Sequence, residues 1–267
     1  MLLYIWLALQ IVLESFPVSS SGHMALFERI LERFGYSFDK SLVACDVVVG
    51  DFLEHFVHGA TIVVLAVFFF PRWFFLLKNF KRCYKIIFKI IGLAFVADCV
   101  TAAYYLLFHY VEKPSTTLGV GFVMTALLLL ILHCLPTQNK LKKFDIRSAL
   151  ILGTFQGVAL IPGISRFAST FVGARALGFR IHKALELSFL IQFPLIFAAF
   201  LNSMRVMIVC PEARAVLNGN VFAVMAIAGV VAYYAFAWVV RKAERNELWQ
   251  FGVYMIVPIA ALLLISL

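Results

Sequence analysis

The stretch Leu13–His23, which reads L-E-S-F-P-V-S-S-S-G-H, places a carboxylate, a proline, three consecutive hydroxyls, a glycine and an imidazole close together. Residues 1–9 before it are almost all apolar, and most of the chain after residue 46 is apolar too. Such a polar cluster is costly in a membrane unless it is buried within protein or lines a wet cavity. The stretch therefore predicts a break in a membrane-inserted helix and, at the break, a functional site.

The composition is that of an integral membrane protein. Hydrophobic residues make up 63% and charged residues 14% of the chain, and the mean hydropathy is +0.97, whereas soluble domains carry about 25% charged residues. We predict one polytopic membrane domain over residues 1–267. The net charge of +9 does not indicate a nucleic-acid partner, because the basic residues cluster in short segments between apolar spans, as in cytoplasmic loops.

Six apolar stretches are long enough to cross a bilayer as helices, which takes about 20 residues. They are Asp46–Phe70, Ile86–Tyr110, Leu118–Leu135, Ala184–Val206, Val221–Val240 and Leu248–Leu267. Two further stretches are interrupted, Met1–Phe34 at Pro17 and Gly22, and Ser148–Phe179 at Pro162–Gly163. The predicted fold is an all-α, multi-span helical bundle.

Charge predicts how these stretches are inserted. The richest basic segments are Arg72–Lys89, Lys140–Arg147, Arg180–Lys183 and Arg241–Arg245. When all four are placed in the cytoplasm, each interrupted stretch must be a re-entrant helix hairpin, the first entering from outside and the second from the cytoplasm.

The two interrupted stretches also resemble each other. Both contain P-x-x-S, at Pro17–Ser20 and Pro162–Ser165, after an apolar run that carries one glutamine, Gln10 or Gln156. Opposed hairpins with a shared pattern predict an inverted repeat whose tips meet near the membrane midplane. The predicted halves are about residues 1–135 and 148–267.

The chemistry expected at the tips is that of an anion site. A helix that starts after each break would point unpaired N–H groups and its positive end at the cavity. The hydroxyls of Ser19–Ser21 have a plainer alternative role, which is to satisfy backbone groups freed at Pro17. Arg166 lies in an apolar stretch and needs an anionic partner, for which both Glu14 and a phosphate are open.

Glu14, Ser20 and His23 are the residue types of phosphoryl transfer. His23 or a serine hydroxyl could attack phosphorus while Glu14 orients or deprotonates the attacking group. A second polar set, Asp51, Glu54, His55 and His58, lies on one helix face by its spacing. We interpret it as a polar wall of the cavity, and a cation site with Glu54, His55 and His58 as ligands is the weaker alternative.

Two motifs resemble those of a known family. Leu13–His23 is similar to E-F-L-P-V-S-S-T-G-H, and Pro162–Thr170 to P-G-x-S-R-S-G-x-T, of the bacitracin-resistance type undecaprenyl pyrophosphate phosphatases (UppP/BacA). The segment Ala184–Pro194 and the chain length fit as well. The resemblance implies a multi-pass enzyme of the bacterial inner (cytoplasmic) membrane. It would convert undecaprenyl diphosphate to the monophosphate carrier lipid for peptidoglycan synthesis and confer bacitracin resistance.

The resemblance also implies roles by position. The catalytic residues would be Glu14, Ser20, His23 and Arg166. The substrate-binding positions would be Ser19, Ser21, Gly22, Gly163, Ser165, Thr170 and Gln10. The expected partners are a polyprenyl diphosphate and membrane lipids, while a divalent cation (Mg²⁺ or Ca²⁺, with Glu14 as one ligand) and a homodimer are left open.

This chain departs from the family pattern at three places. Gln10 stands where a second glutamate is expected, Phe167-Ala168 where S-G is expected, and Met255 where an arginine is expected. These departures leave a second hypothesis open, a lipid-phosphate flippase of the same fold that does not hydrolyse its substrate. If Gln10 replaces a working carboxylate, its substitute should lie on the Asp51–His58 face.

Overall fold

The structure, a computed structural model, describes residues 1–36, 43–44, 47–110, 117–136 and 142–266. Helices account for nearly all of it. They are α1 (Leu2–Leu13), α2 (Ser20–Arg33), α3 (Val49–Lys78), α4 (Phe80–His109), α5 (Thr117–Cys134), α6 (Ile146–Val158), α7 (Arg166–Ala176), α8 (Ile181–Val209), α9 (Pro211–Val216), α10 (Gly219–Glu244), α11 (Trp249–Tyr254) and α12 (Ile256–Ser266). Two short strands, β1 (Val43–Ala44) and β2 (Val47–Val48), pair antiparallel before α3.

Five helices are long and apolar enough to cross a membrane, namely α3, α4, α5, α8 and α10. They confirm five of the six predicted spans, although Asp46, where the first was expected to start, lies outside the described residues. The sixth, Leu248–Leu267, is divided into α11 and α12 at Met255. Pro258 explains the division, because it has no N–H to donate to the carbonyl of Tyr254 one turn earlier.

The basic segment Arg72–Lys89, predicted as a loop, is mostly helical. α3 continues to Lys78, α4 begins at Phe80, and only Asn79 separates them. Lysine and arginine are good helix formers, so the two spans extend well past their apolar parts. Pro71 is accommodated within α3.

Both interrupted stretches form antiparallel helix pairs. In the first, Trp6 Nε1 on α1 donates to Glu28 Oε1 on α2 at 2.8 Å, which ties the open ends together. In the second, Lys142 Nζ just before α6 donates to the carbonyl of Leu177 just after α7 at 2.8 Å. Each stretch is thus a helix hairpin whose tip is the segment interrupted by proline, 14–19 or 159–165.

The two tips touch through glycines. A Cβ added to Gly22 would lie 2.9 Å from the Cα of Gly163, and one added to Gly121 on α5 would lie 2.0 Å from the carbonyl oxygen of Pro162. Gly163 has φ of +90°, a conformation that residues with a Cβ rarely adopt. Thr125 on α5 braces this tip, since its Oγ1 donates to Gly163 O at 2.8 Å and accepts from Ser165 N at 2.9 Å.

We expect Gly121→Ala to destabilise the protein by about 3 kcal/mol, because the new methyl group meets a backbone carbonyl that cannot rotate away. Gly92→Ala is a matched control on α4, where an added Cβ meets nothing within 4 Å. Thermal unfolding in detergent, followed by tryptophan fluorescence, should show a lower Tm for the first variant alone. Equal Tm values for the two variants would contradict the close contact between Gly121 and the carbonyl of Pro162.

Several helices of each half of the chain pack against helices of the other half. α1 of the first hairpin packs on α10, while α6 of the second packs on α4. Likewise α2 packs on α12 and α7 on α5, and α3 packs on α8 across the middle. Each hairpin is therefore held by long helices from the opposite half. Beside the tips, the rings of Phe68, Phe189 and Phe236 pack edge to face, with centroids 4.8 Å apart for the Phe68–Phe236 and Phe189–Phe236 pairs.

Candidate functional site

A small, partly open cavity of about 70 Å³ lies where the two tips meet α3 and α8. Its polar lining comes from both hairpins and both helices: Glu14, Ser15, Ser19, Ser20, Ser21, Thr61, Ser165, Arg166 and Gln192. Its apolar wall includes Phe16, Val64, Leu65, Phe167, Phe189 and Phe236. The cavity therefore combines a polar floor of hydroxyls and charges with a hydrocarbon-like wall.

Helices α2 and α7 both begin at this cavity, and a serine caps the N-terminus of each. Ser19 Oγ accepts from Gly22 N at 3.3 Å at the start of α2, and Ser165 Oγ accepts from Ala168 N at 3.2 Å at the start of α7. Ser19 adopts φ of +62°, in the left-handed region, which the capping contact helps to hold. The positive ends of both helix dipoles are therefore directed to one place, an arrangement that favours an anion.

Arg166 is the first residue of α7 and lines the cavity while half-buried. Its guanidinium makes no hydrogen bond or ion pair with any residue that the structure describes, and its charge acts on Glu14 only through space. A direct Arg166–Glu14 pair, one of the two alternatives from the sequence, is therefore not what the structure contains. The donors of Arg166 are available to a ligand.

Glu14 is held from α1 and α3. His58 Nδ1 lies 2.5 Å from its Oε1, and Thr61 Oγ1 donates to its Oε2. Gln10 Nε2, one turn earlier on α1, donates to Oε1 at 3.3 Å. The His58 contact has ion-pair distance without the geometry of a directed hydrogen bond. The side chains of Glu14 and His58 are only 8% and 6% exposed, so the Glu14 carboxylate contacts these protein partners rather than solvent.

His23 does not line the cavity. Its Nδ1 lies 2.9 Å from the carbonyl oxygen of Ser19, and its Nε2 lies 3.2 Å from the hydroxyl of Tyr254. The ring stacks on that of Tyr254 with centroids 5.8 Å apart and packs against Phe122. His23 is one turn into α2, on the side of the helix that faces α5 and α11 rather than the cavity.

Other sequence-predicted residues support the site from behind. Thr170 is buried, donates to the carbonyl of Arg166 at 2.8 Å, and accepts from Gln192 Nε2 at 3.3 Å. Gly22 and Gly163 form the contact between the tips. The structure therefore brings together Glu14, Ser19, Ser20, Ser21, Ser165 and Arg166 in one cavity. It places Gln10, His23, Gly22, Gly163 and Thr170 around that cavity.

On the predicted polar face of α3, only His58 reaches Glu14. The ring of His55 lies 6.0 Å from that of His58, and neither Glu54 nor His55 lines the cavity. Among the described residues, no group of three or more histidine, cysteine, aspartate or glutamate side chains is arranged to hold a metal ion. The alternative of a cation site on this face thus lacks the ligands it would need in the part of the chain that is described.

Sequence reasoning missed Thr61 and Gln192. Thr61 follows His58 by three residues and so continues the same helix face, a signal that was present. Gln192 is a single polar residue in an apolar span, without a pattern around it. It ties α8 to α7, because its Nε2 donates to Thr170 Oγ1 at 3.3 Å as well as to the carbonyl of Ser188 on its own helix at 2.9 Å.

Comparisons with known proteins agree with the two motifs. A family model described as "Bacitracin resistance protein BacA" matches residues 5–261. A protein of Halothermothrix orenii named "Undecaprenyl-diphosphatase" is 30% identical over 259 residues, 91% of this chain and 92% of that one. A Bacillus licheniformis protein named "Undecaprenyl-diphosphatase 1" is 29% identical, covering 94% and 92%. One from Borrelia hermsii, named "Undecaprenyl-diphosphatase", is 24% identical, covering 94% and 93%.

Proposed function

The chain belongs to the bacitracin resistance protein BacA family, and from this membership together with the cavity we propose that it hydrolyses undecaprenyl diphosphate to undecaprenyl phosphate and inorganic phosphate. The observation that carries the proposal is the guanidinium of Arg166, which has no partner among the described residues, beside two serine-capped helix N-termini and one buried carboxylate. The relatives from Halothermothrix, Bacillus and Borrelia all bear the name of an enzyme, which gives the flippase alternative no support.

The diphosphate would bind between the two tips. A guanidinium fork matches two phosphate oxygens at once, and the N-terminal N–H groups of α2 and α7 supply further donors. The apolar wall, which includes Phe16, Leu65 and Phe189, suits the first isoprene units of the lipid. A polar floor against an apolar wall thus matches a head group joined to a hydrocarbon chain.

The attacking group that fits this cavity best is the hydroxyl of Ser20, since Ser20 lines it and His23 does not. The Ser20 oxygen would bond to the terminal phosphorus while its proton passes to the Glu14 carboxylate. The bond from phosphorus to the bridging oxygen breaks, and its electron pair stays with the lipid monophosphate. Water then hydrolyses the phosphoserine and releases phosphate.

A divalent cation does not fit the donors present. Glu14 supplies the cavity's carboxylate, and both of its oxygens are occupied by protein partners. Hard cations need several oxygen ligands, and the described residues hold no group of three or more histidine, cysteine, aspartate or glutamate side chains that could supply charged ones. We therefore route no step through a cation.

We place the cavity inside a bacterial inner membrane, between two re-entrant hairpins of an inverted repeat. His182 pairs with Glu244, and Arg72 with Glu186, each at 3.5 Å, so three of the basic segments lie at one end of the molecule. This end suits the cytoplasmic side. Tyr4 at the start of α1 accepts from Asn218 before α10 at 3.3 Å, at the end predicted to face outward. These contacts support opposed entry of the hairpins.

The function is tested by measuring phosphate release from undecaprenyl diphosphate by the purified protein in detergent. A flippase would bind the lipid without releasing phosphate, and would move it across proteoliposomes. A water-soluble short-chain prenyl diphosphate should be a poorer substrate, because it forgoes contact with the apolar wall. Binding without turnover would overturn the proposal.

We expect Ser20→Ala to lower kcat by at least about 100-fold, because it removes the attacking oxygen. His23→Gln should lower kcat by no more than about tenfold, because it disturbs only the Tyr254 and Ser19 contacts. Single-turnover phosphate release from both variants checks this order. If His23→Gln were the inactive variant and Ser20→Ala the active one, the imidazole would be the nucleophile.

A further inference from the structure

The buried contact between His58 and Glu14 is not accounted for by the two motifs. His58 lies on α3, far from both in sequence, yet its Nδ1 is 2.5 Å from the carboxylate that faces the cavity. A nitrogen and an oxygen this close need a proton between them, because two lone pairs facing each other would repel. The Nδ1 proton of His58 therefore lies against Glu14 Oε1, at ion-pair distance rather than in a directed hydrogen bond.

We propose that His58 is a positioning residue for the hydrolysis, one that holds the Glu14 carboxylate in a fixed orientation toward the cavity. This inference rests on the proposed function. His58 is 4% exposed and does not line the cavity, so it acts through Glu14 rather than on the substrate. An imidazole proton placed this close to a carboxylate oxygen stabilises the negative charge of the carboxylate.

The surroundings of Glu14 show why a donor is needed on this side. Gln10 donates to Oε1 only at 3.3 Å, and the Arg166 guanidinium acts on the carboxylate from a distance. Thr61 holds the other oxygen. His58 therefore contacts one carboxylate oxygen and Thr61, one turn later on α3, contacts the other. Together the two contacts fix the plane of the carboxylate.

This arrangement also answers the question raised by Gln10. The substitute expected on the Asp51–His58 face is an imidazole rather than a second carboxylate. The proton of the Ser20 hydroxyl passes to Glu14, whose remaining lone pairs can accept it, while the Nδ1 proton of His58 stays in place. When water hydrolyses the phosphoserine, Glu14 returns its proton to the Ser20 oxygen as the O–P bond breaks, the protons of the water leave with the phosphate, and the pair is restored.

The test compares two substitutions of His58. His58→Leu removes the donor and should lower kcat by about 10- to 100-fold, as loss of a hydrogen bond to a charged group does, with KM changed less than about threefold. His58→Asn places an amide N–H near the position of Nδ1 and should restore kcat to within about threefold of the unaltered protein.

His133→Leu is the matched control, since His133 on α5 is exposed, packs on Trp249 and lies away from the cavity. It should leave both constants unchanged. Rescue by asparagine is an effect that a merely structural role would not produce. If both His58 variants turn over like the control, or both lose kcat equally while keeping their Tm, the inference is wrong. An unaltered protein that releases no phosphate would instead contradict the proposed function.

Discussion

Arg166→Ala should lower kcat/KM for undecaprenyl diphosphate by about 1000-fold, or about 4 kcal/mol of transition-state stabilisation. The guanidinium has no partner among the described residues, so its removal deletes a ligand contact without leaving a protein group unsatisfied. Arg166→Lys keeps the charge but loses the planar fork, and should recover only part of the loss. Steady-state phosphate release over a range of lipid concentrations measures both variants.

Arg175 is the informative control for that experiment. It is 2% exposed, and its guanidinium donates to the carbonyls of Phe179 at 2.7 Å and Pro136 at 2.9 Å. Arg175→Lys should therefore lower Tm while the folded fraction keeps its kcat. Arg166→Lys should do the reverse. A loss of Tm in the Arg166 variants that matched their loss of activity would point to a structural role and against phosphate binding.

Glu14→Gln should lower kcat by about 1000-fold, within the range for loss of a general base, because an amide cannot accept the proton of the attacking hydroxyl. KM should change far less, since the phosphate-binding donors of α2, α7 and Arg166 remain. Burst and steady-state measurements of phosphate release separate the two constants.

Glu28→Gln provides the matched change in the same hairpin. Glu28 lies at the open end of α2, where it accepts from Trp6 Nε1, and the amide oxygen of glutamine can still accept that bond. Its activity should stay close to that of the unaltered protein. Should Glu14→Gln retain full turnover, the base would have to be sought elsewhere in the cavity.

Much of the fold followed from where prolines and charges interrupt apolar sequence. The breaks at Pro17 and Pro162 predicted both helix pairs, since a proline ends a helix wherever its lost hydrogen bond is not replaced. Pro71 does not interrupt its helix, since α3 continues through it. The C-terminal part of α3 and the N-terminal part of α4 were also missed. Their basic residues indicated a loop by charge, but lysine and arginine have good helix propensity.

The site was predictable in its motif residues and not in their supports. Glu14 and Arg166 were found because ionisable groups stand out in apolar sequence. His23 is also an ionisable group in apolar sequence, but the structure places it outside the cavity lining. The helical period of α2 turns its side chain toward Tyr254. Thr125 and Gln192 act through contacts between segments that are distant in sequence, which no local pattern reveals.

The contact between Gly22 and Gly163 has a consequence for how this protein can change over generations. A Cβ on Gly22 would lie 2.9 Å from the Cα of Gly163, and a Cβ on Gly163 would lie 2.5 Å from the carbonyl oxygen of Leu118 on α5. A mutation that enlarges either glycine is therefore penalised until the neighbouring backbone moves. The two hairpins therefore cannot change independently at this contact, however much the rest of their helices vary. We therefore expect the sequence to tolerate least change at Gly22 and Gly163, although neither residue lines the cavity.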